Sequence, residues 1–121
     1  MSRILFRCVT ISVLILFNTA CVYEQIAPVQ GPESVSWNVD VLPILVNNCA
    51  TSTCHTTGKI SPDLTSENAY LNLTLFGYVN TTTPEESLIM QKLVGGSMKD
   101  QASESEKQII LKWIEQGALD D

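Results

Sequence analysis

The sequence predicts an all-α domain of about four short helices joined by long loops. Two segments carry that prediction, residues 83–94 and 103–117, each with capping residues ahead of apolar side chains at helical spacing. The third observation is the lack of a competing strand pattern, apart from the ambiguous stretch "LNLTLF" at 71–76.

The first 20 residues, "MSRILFRCVTISVLILFNTA", are an export signal rather than part of the fold. Arg3 and Arg7 give a basic start, and Val9 to Phe17 is an apolar run too short to span a bilayer. The run ends in "FNTAC", which resembles the bacterial lipoprotein signal that is cut before a lipid-bearing cysteine; Asn18 stands where that signal usually has leucine. The resemblance implies that Cys21 carries the lipid. The alternative is an ordinary signal cleaved nearby, leaving Cys21 as a free or paired thiol. Residues 21–35 come next as a tether, with two prolines, a glycine and no periodic apolar pattern in "VYEQIAPVQGPESV". A flexible chain of that length spans on the order of 20 Å, which holds a small domain just off a membrane surface.

Residues 36–121 form one small domain without internal repeats. A first helix is expected near 38–47, with Val41, Leu42, Leu45 and Val46 as its apolar stripe and Pro43 in the first turn, where a missing N–H costs nothing. A second begins near Ser66 and carries Ala69, Tyr70 and Leu73 on one face. In the third, Thr83 is the expected N-cap, Pro84 the first helical residue and Glu86 the reciprocal capping partner, ahead of Leu88, Ile89, Leu93 and Val94. The fourth has a Ser103–Glu106 capping box, then Ile109, Ile110, Trp113 and Ile114 at helical spacing, and Gly117 at the C-terminal end.

Removal of residues 1–20 leaves five lysines against 13 acids, a formal charge of −8. An acidic, arginine-free chain lacks the cationic contacts that nucleic acid requires, so no nucleic-acid partner is expected. Export places the remaining cysteines, Cys21, Cys49 and Cys54, in an oxidising compartment. A domain of this size buries a limited core, and its long loops call for a staple, a metal or a cofactor.

The stretch "CATSTCH", Cys49 to His55, offers all three. Covalent haem attachment needs two thiols for the vinyl groups of the porphyrin and a histidine directly after the second thiol for the iron, usually as C-x-x-C-H. Here the spacer has four residues, Ala50 to Thr53, and the adjacency of Cys54 and His55 is kept. A longer spacer of small polar residues suits an outward bulge. A Cys49–Cys54 disulfide with His55 uninvolved is the first alternative. Zinc on the two thiolates and the imidazole is the second, although the domain has no further cysteine or histidine for a fourth ligand apart from Cys21 on the tether. A thioredoxin-like dithiol uses tighter spacing in a βαβ setting that is not seen here.

From about Val35 to Ala118 the chain resembles the class I cytochromes c, in particular the small haem domains of exported bacterial proteins. "SWNVDVLPILVNNC" looks like that family's N-terminal helix leading into the haem motif, and "IILKWIEQGA" looks like its C-terminal helix. The resemblance implies a small cytochrome c-like fold around one covalently bound haem c, with those two helices crossing and Trp113 and Ile110 meeting Leu42, Leu45 or Val46. It implies thioethers at Cys49 and Cys54 and His55 as the proximal iron ligand. Pro62 and Leu64 in "SPDLT" resemble the family's proline and leucine, the proline carbonyl accepting the second ring N–H of the histidine. Trp113 is expected with one edge near the porphyrin. Met98, in the loop between the third and fourth helices, stands where the family places its distal ligand, with Lys99 rather than proline after it; Met90, on the apolar face of the third helix, is expected in the core.

The function implied is that of a single-haem, one-electron carrier, exported and anchored by its N-terminal lipid, facing the periplasm or cell surface and exchanging electrons with redox partner proteins. No nucleophile or acid/base pair points to an enzyme. The alternatives are a non-redox surface lipoprotein with a Cys49–Cys54 disulfide and, if Met98 is not a ligand, a haem-based sensor of small ligands.

Overall fold

A computed structural model describes residues 32–121; the signal segment 1–20, Cys21 and residues 22–31 of the tether lie outside them. The described residues contain four α-helices and no strand, an all-α arrangement as the sequence predicts. Val35, expected in the tether, is buried, and its N–H donates to the Gln116 side chain at 3.0 Å, so the folded unit takes it in.

The first helical segment has two parts. Ser36 caps it, its own N–H held by the Asp40 carboxylate at 2.8 Å. Trp37–Val41 form a π-helical turn, and α1 continues from it at Leu42–Asn48 with Pro43 in its first turn. Trp37, Val41, Ile44 and Leu45, at helical spacing i, i+4, i+7 and i+8, face the core, whereas Leu42 and Val46, expected in the stripe, are only half-buried.

The ambiguous 71–76 stretch lies largely in a helix, α2 at Ala69–Leu75. At about 100° per residue, Ala69 and Leu73 fall on one side and Leu71 and Leu75 on the other. The first pair is buried and the second is exposed. The alternation of leucines that reads as a strand is thus a helix with two apolar sides.

The third helix departs from expectation. Pro84–Glu86 make a 3₁₀ turn, Ser87 is extended (φ −54°, ψ 137°), and α3 begins only at Leu88, running to Val94. Neither Thr83 nor Ser87 makes a side-chain cap. Ser87 is buried, and its hydroxyl accepts from the Asn80 N–H at 2.9 Å and lies 3.3 Å from the Asn80 carbonyl, which it reaches as a donor. That exchange competes with continuing the helix. The inward face of α3 becomes Ile89, Met90 and Leu93, while Leu88 and Val94 are exposed.

Helix α4, Glu104–Glu115, forms as its local signals require. Ser103 Oγ accepts from the Glu106 N–H at 3.3 Å and Glu106 accepts from the Ser103 N–H at 2.7 Å, a reciprocal cap whose serine contributes about 1 kcal/mol. At the other end Gly117 (φ +102°) allows the N–H groups of Gly117 and Ala118 to close on the carbonyls of Ile114 and Trp113. Ile110, Trp113 and Ile114 are buried. Trp113 lies 4.8 Å from Trp37 and 6.4 Å from Tyr70 by ring centroids, and its indole N–H donates to the Leu119 carbonyl at 2.9 Å. This aromatic cluster joins the start of the domain, α2 and α4; such pairs contribute about 0.5–1.5 kcal/mol beyond area burial. On the far side of the core, Asn48 at the end of α1 donates to Glu106 at the start of α4 (3.0 Å).

Candidate functional site

An apolar cleft opens beside the core, with about 450 Å³ of atom-free space counting its open mouth. Leu45 and Cys49 form one wall at the end of α1, and His55, Pro62 and Leu64 line it from the adjoining loop. Leu73 of α2, Tyr78, the Ile89, Lys92 and Leu93 face of α3, and Met98 complete it. Lys92 is the one lysine among these residues, which include no arginine, aspartate or glutamate.

The loop is built from its own backbone. The Cys49 N–H ends α1 on the Leu45 carbonyl (2.9 Å), and the His55 N–H returns to the Cys49 carbonyl (3.1 Å). Those two bonds close the Ala50–Thr53 spacer into a bulge whose residues 51–53 are exposed, the arrangement that small polar residues favour. Cys49 lines the cleft, whereas Cys54 is half-buried in the bulge and outside the lining, with Thr53 Oγ1 at 3.9 Å from its sulfur. Both are free thiols. Burial pushes the Cys49 thiol up from its usual range, and Cys54 and Glu106 act in the same direction. Cys49 is therefore held as the neutral thiol at neutral pH.

The imidazole of His55 is fixed by one bond. Its Nδ1 lies 3.0 Å from the Pro62 carbonyl oxygen. A carbonyl only accepts, so Nδ1 carries a proton, and in the neutral ring Nε2 has the lone pair for another partner. The Leu64 N–H donates to the His55 carbonyl at 2.8 Å, so Pro62 and Leu64 are both tied to the same histidine.

Asp63, between those two residues, was not singled out by sequence. One carboxylate oxygen accepts from the Thr57 hydroxyl (2.6 Å) and the Asn68 amide (3.0 Å), the other from the Thr65 N–H (3.0 Å) and hydroxyl (2.7 Å). One side chain thus ties the residues after His55 to the approach to α2. The available signal was an aspartate two residues ahead of a threonine, a local side-chain-to-backbone pattern. Lys92 was also missed; Ile89, Lys92 and Leu93 share a face by helical spacing, which marks Lys92 as part of that wall.

Met98 is brought to the cleft by a tight turn. Its N–H donates to the Lys92 carbonyl at 3.0 Å, folding the loop back on α3. Gly96 makes this possible, since a Cβ there would meet Lys92 Cα at 2.8 Å and Gln91 O at 2.9 Å. The structure therefore brings Cys49, His55, Pro62, Leu64 and Met98 to one cleft. Trp113 is not among the lining residues, because its ring is taken up by Trp37, Tyr70 and the Leu119 carbonyl. Met90 is buried in the core and likewise absent from the lining. Among the described residues, no three histidine, cysteine, aspartate or glutamate side chains are grouped as a metal ion requires. No helix among the described residues is long and apolar enough to cross a membrane.

Compared with protein-family models, with curated proteins and with solved structures, the chain matches none of them.

The hydrogen bonds to Asp63 hold its carboxyl down at about 2 from an ordinary 3.8, the Thr57 hydroxyl contributing most. A lowered folded-state value means that the unfolded chain binds the extra proton first. The contribution to stability is complete above about pH 4 and is lost as pH falls towards 2. Denaturation measured between those limits should show Asp63→Asn losing less stability than the parent chain as pH falls.

Proposed function

We propose that the chain is a single-haem c-type cytochrome, a one-electron carrier of the small class I kind, exported and held at a membrane by lipid on Cys21. The observation that carries this is the state of His55. A proton fixed on Nδ1 by the Pro62 carbonyl leaves Nε2 as a ready iron ligand, and that ring shares an apolar cleft with Cys49 and the Met98 thioether.

The residues present fit a haem c. Cys49, in the cleft wall, and Cys54, in the adjoining bulge, would supply the thiols for the two thioether bonds, each adding S–H across a vinyl group. His55 and Met98 would hold the iron. Leu45, Leu64, Leu73, Ile89 and Leu93 would exclude water from a bound haem, and the open mouth would leave room for electron exchange with a partner. When bound, haem supplies an iron that accepts one electron from a donor protein and passes it to an acceptor. A thioether paired with histidine would favour the reduced iron, and Lys92 at the cleft wall would act in the same direction, weakly because it is exposed. A Cys49–Cys54 disulfide remains the contrasting reading, since both cysteines sit on the one loop that the His55 N–H closes on the Cys49 carbonyl.

Protein exported from cells with cytochrome c maturation is expected to show a haem visible spectrum that survives denaturation. Colourless protein with oxidised Cys49 and Cys54 would establish the disulfide reading instead. In the coloured protein, Met98→Ala should lower the reduction potential and open the iron to small ligands, measured by redox titration and by the carbon monoxide spectrum. A parent protein that already binds such ligands would support the sensor reading.

A further inference from the structure

We propose that the outward side of α2 is a lipid-docking surface that seats the domain on the bilayer holding its N-terminus. The proposal rests on the lipid-anchor part of the reading above, and three observations carry it.

The first is apolar exposure. Leu71 is 53% exposed, and Leu75 and Phe76 are each 70% exposed. Leu71 and Leu75 are one helical turn apart and therefore neighbours, and Phe76 comes directly after them at the helix end. Val39, Ile60 and Val94 are also exposed, but each stands alone along the chain. A single exposed apolar residue is ordinary; three on one turn of helix and its end form a surface.

The second is charge. No acidic or basic side chain occurs from Asn68 to Pro84, although 13 acids and five lysines are spread over the rest of the exported chain. Acidic side chains are repelled by anionic headgroups, and charges of either sign resist burial at the apolar boundary. The α2 stretch is where this acidic domain meets a bilayer without either cost. A protein partner chosen by electrostatic complementarity would gain nothing there.

The third is where the anchor arrives. Trp37, just inside the start of the described chain, lies 5.4 Å from Tyr70 of α2 by ring centroids, and the Tyr70 hydroxyl donates to Ala118 beside it. The chain from Cys21 thus meets the domain next to α2. Even fully extended, the residues from Cys21 to Pro32 span at most about 40 Å, so the bilayer stays within reach of this helix. Tethering raises the local concentration of lipid, and a small apolar contact is then enough to orient the domain. Leu73 lines the cleft from the opposite side of α2, which places the helix between the cleft and the membrane.

The test uses the full exported chain in vesicles that contain a photoactivatable phosphatidylethanolamine, with adducts mapped by peptide mass spectrometry. Lipid on Cys21 is read from the N-terminal peptide of the same sample. Adducts are expected within residues 68–80, falling about tenfold or more in Leu71→Gln/Leu75→Gln/Phe76→Gln. Val94→Gln, an exposed change on α3, should leave them unchanged, and circular dichroism checks that each variant is folded. If the triple variant unfolds, Phe76→Gln alone should still lower the adducts. Cys21 lipidated with no adducts at 68–80, or with adducts spread over the surface, overturns the docking proposal and leaves the anchor standing. Cys21 without lipid and no adducts overturns both.

Discussion

Everything at the cleft depends on a carbonyl that can only accept. Pro62 presents its oxygen to Nδ1 of His55 at 3.0 Å, and that contact selects one tautomer of the only histidine in the chain. An imidazole free to rotate would offer a ligand either nitrogen, and ordering the ring would then cost binding free energy. Here the ring is ordered beforehand. The bond is itself held from both sides, by Leu64 donating to the His55 carbonyl and by the Asp63 carboxylate gathering Thr57, Thr65 and Asn68.

The remainder of the fold serves the same arrangement. Helix α1 ends at Cys49 and so delivers one thiol to the cleft, while the closing bond from His55 pushes the four-residue spacer outward. On the other side, Gly96 lets the chain turn back on α3 closely enough to bring Met98 into the wall. The aromatic cluster of Trp37, Tyr70 and Trp113 lies elsewhere in the core and fastens the two ends of the domain to α2. A small chain with long loops thus has two organising centres, a packed aromatic one and an apolar cleft. The second lends itself to filling, since a domain this small has little core to spare.

Legibility in the sequence tracked the range of the interaction. The ends of α4 were readable because Ser103, Glu106 and Gly117 act on neighbours a few residues away. The break at Ser87 was not, because it depends on Asn80 across a turn and overrides the local signal of Thr83, Pro84 and Glu86. In the first helical segment the buried face takes in Trp37 and Ile44 beside Val41 and Leu45, leaving Leu42 and Val46 half-buried. Leu71, Leu73 and Leu75 looked like a strand until the helix separated them onto two sides. At the site, the cysteines and His55 stand out by adjacency, and the family resemblance pointed to Pro62, Leu64 and Met98. Asp63 and Gly96 escaped notice because their roles exist only once the loops have closed. Trp113, expected at the cleft, is held by aromatic partners far from it in sequence.

The central claim is that two thiols and one oriented imidazole in "CATSTCH" hold a haem. It is tested most directly by a tryptic map of the exported chain, in which the peptide ending at Lys59 contains both cysteines of the motif. The account predicts that this peptide carries the mass of one haem, with Cys49 and Cys54 both closed to alkylation before and after reduction. A peptide without that mass, whose two thiols become open to alkylation on reduction, would contradict it.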